Sequence, residues 1–187
     1  DDKFMAISKE DVIGGEGVDV DGQDRLGTVL WGDFKKLACY NPEKRKNPHK
    51  PAYVIFTYGE PGCGKTFVSH AYIQAFAELC RKKGLPLWAL THSTTDYASE
   101  YQNKTANELS KLARQIRDFP GIVVMYVADA DNIFLSRKDD LKPEQKNTLN
   151  IYLKMFDGTM IPKNGKFLSV MDANYLEGID DATKSRL

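Results

Sequence analysis

Charge of one sign is what this chain lacks: 26 basic and 26 acidic side chains cancel to a formal net charge of +0 over 187 residues. That balance gives no global pull toward nucleic acid or an anionic membrane surface. Long apolar runs are missing too. The longest, Ile122 to Ala128, is far short of the ~20 residues that span a bilayer. No basic segment followed by an apolar one opens the chain, so no secretory leader is expected. Cysteine is scarce, and Cys39, Cys63 and Cys80 have neither zinc-ligand nor redox spacing. They read as small buried thiols in a reducing compartment. His49, His70 and His92 are isolated and carry no metal-ligand spacing. A soluble, cytoplasmic chain is the expectation.

What is present is an ordinary globular composition, with 42% hydrophobic and 28% charged residues. The length suits one domain. Residues 1–4 are set aside, because Asp1-Asp2-Lys3 looks like the end of an enterokinase tag, and Met5 opens the domain proper, 5–187. Residues 10–24 are rich in Gly and Asp and read as loop. Leu26, Val29, Leu30, Phe34 and Leu37 then recur at helical spacing, predicting a helix from Arg25 to about Ala38.

From Tyr53 the pattern alternates between strands and helices. Strands are predicted at Tyr53–Tyr58, Leu87–Leu90, Ile122–Ala128 and Phe167–Met171. A helix is predicted from Lys65 to Lys83, stopped by Gly84 and Pro86. Thr105 and Glu108 form a capping box that would open a second helix, with Leu109, Leu112, Ala113 and Ile116 on its apolar face. Pro143 starts a third that ends near Phe156 and Gly158. Parallel strands joined by helical crossovers imply an α/β fold of three layers, a central parallel sheet flanked by helices.

Gly59-Glu-Pro-Gly-Cys-Gly-Lys65-Thr66 fits G-x-x-x-x-G-K-[ST]. Glycines let the backbone curl so that successive N–H groups face a phosphate, and the following helix adds its positive end. The lysine reaches the β- and γ-phosphates and the threonine hydroxyl faces Mg²⁺. Because the motif sits between a predicted strand and a predicted helix, a P-loop that binds a nucleoside triphosphate is expected. The nucleotide would be held by Glu60, Pro61, Gly62, Cys63, Gly64, Lys65, Thr66 and Phe67.

With that loop in place, residues 11 to 187 resemble the AAA+ ATPases, and the AAA clade most closely. Asp11-Val-Ile-Gly14 is similar to the family's opening motif, which implies that Ile13 and Gly14 hold the adenine. Asp157-Gly158 resembles the family's Met-Asp-Gly segment. Ala173-Asn174 after the last strand resembles sensor 1, which implies that Asn174 orients the attacking water. Ile179-Asp180 and Ser185-Arg186 resemble the run ending in the arginine finger, so Arg186 would complete a neighbouring subunit's site. Tyr101 resembles the pore-loop aromatic that grips polypeptide, although Glu100, Gln102 and Asn103 replace its usual neighbours. The resemblance implies ATP and Mg²⁺ as cofactors, a homo- or hetero-oligomeric ring, hexameric as in the family, and a macromolecular substrate. The helical lid and sensor 2 are expected to lie beyond Leu187.

One strand departs from the family. Its members end it with an Asp-Glu pair, whereas this chain reads Val127-Ala128-Asp129-Ala130-Asp131. Alignment on Asp131-Asn132-Ile133 puts Ala128 at the Mg²⁺ position and Asp129 in place of the catalytic Glu. A shift by one makes Asp129 the Mg²⁺ residue and leaves Ala130 at the base. Two functions are therefore carried forward: an ATPase that remodels a macromolecular partner, and an ATP-binding ring subunit that does not turn over. A GTPase is disfavoured, since Asn103-Lys-Thr-Ala106 lacks the acid of a guanine-reading element.

Overall fold

A computed structural model of the chain describes residues 24–93, 102–134 and 143–174. Helix α1 (Asp24–Leu37) precedes β1 (Val54–Tyr58), α2 (Lys65–Lys83) and β2 (Leu87–Ser93). Then follow α3 (Gln102–Asp118), β3 (Ile122–Ala128), the single-turn α4 (Asp131–Phe134), α5 (Pro143–Phe156) and β4 (Phe167–Ala173). The four strands pair in parallel in the order β1-β4-β3-β2.

Side chains on successive strand residues point to opposite faces, so each central strand feeds two cores. One face carries Ile55, Val124, Tyr126, Leu168 and Val170 against α1 and α2. Phe34 of α1 stacks on Phe76 of α2 there, with ring centroids 4.9 Å apart. The opposite face carries Val123, Met125, Val127, Phe167 and Met171 against α3 and α5. Burial on both sides explains why β3 reads as a continuous apolar run rather than an alternating one. The expected three-layer α/β architecture is therefore present.

Helix α2 ends where Gly84 takes a left-handed conformation, φ 69°, which a residue with a Cβ adopts only with strain. Leu85 N–H closes the last turn on Cys80 O at 2.9 Å. Arg81, Lys82 and Lys83 in that turn face the negative end of the helix.

Several boundaries differ from those expected. Helix α3 begins at Gln102, so Thr105 lies inside it and does not cap it. No glycine or proline in the preceding Gln-Asn-Lys blocks an earlier start. Strand β2 runs on through Thr91, His92 and Ser93, because its ladder with β3 continues from Leu87↔Ile122 to Ser93↔Ala128. The His92 ring is buried and meets the Tyr152 hydroxyl at 2.5 Å, so a polar residue there costs little. Strand β4 likewise extends past Met171 to Ala173. Helix α4 was not foreseen.

The topology has one reversal. From β1 the chain crosses by α2 to the far strand β2, then returns through β3 to β4, which lies beside β1. Helix α2 thus leaves β1 on one face while α5 reaches β4 across the other, and the carboxyl ends of these two strands open a crevice between them. Such a switch point is where open α/β sheets bind ligands.

Candidate functional site

At the carboxyl end of β1 the chain turns through residues 59–64 into α2. Gly62 and Gly64 have φ of 82° and 89°, left-handed values that require glycine. Cys63 N–H closes the turn on Glu60 O at 3.3 Å. Gly64 caps α2 without a side-chain hydrogen bond, and the first turn of α2 holds no acidic residue. The helix therefore keeps its unsatisfied N–H groups and positive end for an anion.

Lys65 opens α2 and is almost fully buried. Its ammonium donates to Gly59 O at 2.7 Å, to Glu60 O at 3.1 Å and to Asn174 Oδ1 at 3.3 Å. Cys63 Sγ stands 3.7 Å from the same nitrogen. A strand-end asparagine 109 positions away thus meets the loop's lysine.

Thr66 is bonded to a residue that sequence reasoning missed. Its hydroxyl donates to Asp172 Oδ2 at 2.9 Å, and Tyr126 OH donates to that same carboxylate oxygen. Asp129 N–H donates to Asp172 Oδ1 at 3.1 Å, and Ala130 N–H to Asp172 O at 2.8 Å. Burial, helped by the hydrogen bond to Asp172, pushes the Tyr126 phenol well above its ordinary range, so it stays a neutral donor. A signal existed: an acid near the end of an otherwise buried strand, two positions before Asn174.

Asp129 lies just past β3 with φ 51°, a left-handed value uncommon outside glycine. It joins the cluster through its backbone N–H, and its carbonyl accepts Asn132 N–H at 3.0 Å as α4 begins. Ala130 is fully buried in the α3–α5 core. The register that puts the catalytic base at residue 130 would therefore aim it into hydrocarbon. The alternative, with Ala128 at the Mg²⁺ position and Asp129 at the base, leaves both side chains half-buried at the carboxyl end of β3.

The exposed members of the loop include Glu60, Pro61 and Cys63, and Phe67 is 62% exposed. Cys39 and Cys80 are buried as expected, but Cys63 is not. Ile13, Gly14, Tyr101 and Arg186 lie outside the described residues.

Hydroxyl and carboxylate oxygens at Thr66 and Asp172 suit a hard cation, as Mg²⁺ is. Among the described residues no group of three or more His, Cys, Asp or Glu side chains forms a cage for a metal. Mg²⁺ takes one or two carboxylates and completes its shell with water and phosphate. No helix among the described residues is long and apolar enough to cross a membrane.

Residues 55–187 match the family described as "ATPase family associated with various cellular activities (AAA)". A Corynebacterium glutamicum (strain R) protein described as an AAA ATPase forming ring-shaped complexes is 25% identical over 158 residues, covering 78% of this chain and 30% of that protein. This chain therefore spans less than a third of that relative's length. Among solved structures, the FIGL-1 AAA domain in complex with ADP is similar with a TM-score of 0.64, over 97% of this chain and 60% of that one, at 16% identity. A chain of the Escherichia coli MS115-1 HORMA:CdnC:Trip13 complex has a TM-score of 0.59 over 91% and 60%, also at 16% identity. At that identity the likeness speaks for the fold alone. The family match covers well over half of the sequence, from the middle of β1 onward, and the chain belongs to the AAA family of ATPases.

Proposed function

We propose that this domain binds Mg-ATP in the crevice between β1 and β4, and that it works within a ring whose neighbouring subunit supplies Arg186. The observation that carries the reading is the convergence of Lys65, Thr66, Asp172 and Asn174 at the end of a glycine loop. Lys65 would balance the β- and γ-phosphates, the loop N–H groups would hold them, and Thr66 with an adjacent acid would support Mg²⁺. The metal's contribution is to neutralise charge developing on the phosphates. Asn174 would orient water, and Asp129 would accept its proton. Nucleotide state would then be coupled to a macromolecular partner. A polypeptide gripped by Tyr101 fits the resemblance, and a relative's description as ring-forming supports assembly.

A second reading has its own observation behind it. Strand β3 ends in Ala128, and the acid after it is Asp129, one methylene shorter than the Glu of the family. Loss of a well-placed base typically costs ~10²–10⁴ in rate. A subunit that binds ATP and signals by conformation, with little turnover, is consistent with that change.

Thermal unfolding tests the binding. At 100 times its dissociation constant, ATP stabilises a native-state binder by ~2.7 kcal/mol. Lys65→Ala should remove most of that shift. An undiminished shift in the variant places the nucleotide elsewhere.

A further inference from the structure

We infer that Asp172, on β4, has taken over the metal-side role that β3 cannot perform in this chain, holding Mg²⁺ or one of its waters beside Thr66 in place of Ala128. The inference rests on the Mg-ATP reading above and assigns its metal-side carboxylate.

Strand geometry supplies the first argument. The β3–β4 register pairs Tyr126 with Val170 and Val127 with Met171, so Ala128 and Asp172 occupy the next step. Registered partners in a parallel pair point to the same face, and adjacent strands lie ~4.8 Å apart. Tyr126 and Val170 both belong to the core facing α1 and α2, so Asp172 emerges on the face that Thr66 occupies. An acid moved one strand sideways thus stays within reach of the same hydroxyl. Its Oδ2 is 2.9 Å from Thr66 Oγ1.

The second argument is charge. Asp172 is only 5% exposed. Thr66, Tyr126 and the Asp129 N–H satisfy its oxygens, yet all three donors are neutral. The nearby cation, Lys65, donates to Gly59, Glu60 and Asn174 instead. Among the described residues no ion pair reaches Asp172. A buried carboxylate without a cation is costly, and a divalent ion at Thr66 would offset that cost.

The test is the dependence of ATP affinity on Mg²⁺, titrated on the full chain with Mg²⁺ and with EDTA. Wild type should bind ATP more tightly with Mg²⁺. Asp172→Asn keeps the shape and should cut that enhancement at least ~10-fold, the lower end of what losing a metal-supporting group costs. Its affinity in EDTA should stay within ~3-fold of wild type by the same reasoning. Ala128→Asp in the Asp172→Asn background should restore the enhancement, returning the acid to β3. An Asp172→Asn protein with undiminished enhancement overturns the inference. Wild type that binds no ATP in either buffer overturns the Mg-ATP reading instead.

A measurement on wild type removes any dependence on how the variants fold. With aspartate labelled at the carboxyl carbon and substoichiometric Mn²⁺-ADP, the Asp172 resonance should broaden. The Asp172 carboxyl carbon should relax faster than that of Asp129, and the reverse order assigns the metal to the acid after β3 and sinks the proposal.

Discussion

Lys65 Nζ lies 3.3 Å from Asn174 Oδ1, joining the first residue of α2 to the residue after β4. The contact exists because β4 inserts beside β1, so two residues 109 positions apart emerge at the same crevice. On the Mg-ATP reading proposed above, the asparagine would stand where a γ-phosphate and its attacking water meet the lysine. Asn174→Ala should therefore lower turnover by ~10²-fold, the usual cost of a misplaced reactant, with ATP affinity changed only a few-fold. Single-turnover rates measured beside equilibrium binding separate the two. Equal losses in both would make Asn174 a binding residue only.

Basal hydrolysis should be slow, below the ~1 s⁻¹ at which ordinary enzymes begin. Asp129→Glu together with Ala128→Asp should raise it. Ala130→Glu should instead destabilise the fold by more than ~2 kcal/mol, because it drives a carboxyl into the α3–α5 core. Phosphate release and urea midpoints decide the matter. A stable, activated Ala130→Glu protein would mean that the register deduced from the burial of Ala130 is wrong.

Cys63 should be the reactive thiol. It is exposed in the phosphate loop, 3.7 Å from Lys65 Nζ, whereas Cys39 and Cys80 are buried. Burial also pushes the Cys80 thiol up to about 12, so little thiolate is available there. Iodoacetamide should modify Cys63 first and abolish the ATP-induced thermal shift, while bound ATP protects. Cys63→Ser should bind ATP and resist inactivation. Mass spectrometry of the labelled peptides would reveal the opposite order if the loop shields its thiol.

Assembly is the fourth expectation. If Arg186 completes a neighbour's site, turnover per molecule should rise with protein concentration. Arg186→Ala should lower it by ~10³-fold or more, the low end of what an arginine finger contributes. Mixing Arg186→Ala with Lys65→Ala protein should recover part of the activity through hybrid sites. Concentration-independent turnover with no complementation would leave Arg186 as a surface charge.

Much of the fold was legible because its signals are local. Gly84 and Pro86 end α2 as read, and the apolar run of β3 predicts a strand buried on both faces, as found. The glycine loop between β1 and α2 was legible for the same reason, since its glycines, Lys65 and Thr66 are contiguous. Asp172 was not, because its meaning depends on strand order. Only when β4 lies between β1 and β3 does an acid before Asn174 reach Thr66. The polar end of β2 was missed similarly, since Thr91, His92 and Ser93 look like loop until β3 supplies their ladder and Tyr152 meets the His92 ring. The capping box at Thr105 failed for a different reason. A local signal marks where a helix can begin, and nothing ahead of it forbade starting a turn sooner.

The position of β4 also sets a timetable for synthesis. It is the last of the described strands to leave the ribosome, yet it occupies the gap between β1 and β3. Until residues 167–173 emerge, β1 and the β2–β3 ribbon each present an open edge on that side, and such edges invite pairing with other chains. Nucleotide would not close this gap, because the loop between β1 and α2 that would hold it leaves the strand edges uncovered. A nascent chain stalled before Phe167 would carry the complete phosphate-loop motif, yet it would need a chaperone rather than a ligand to stay soluble.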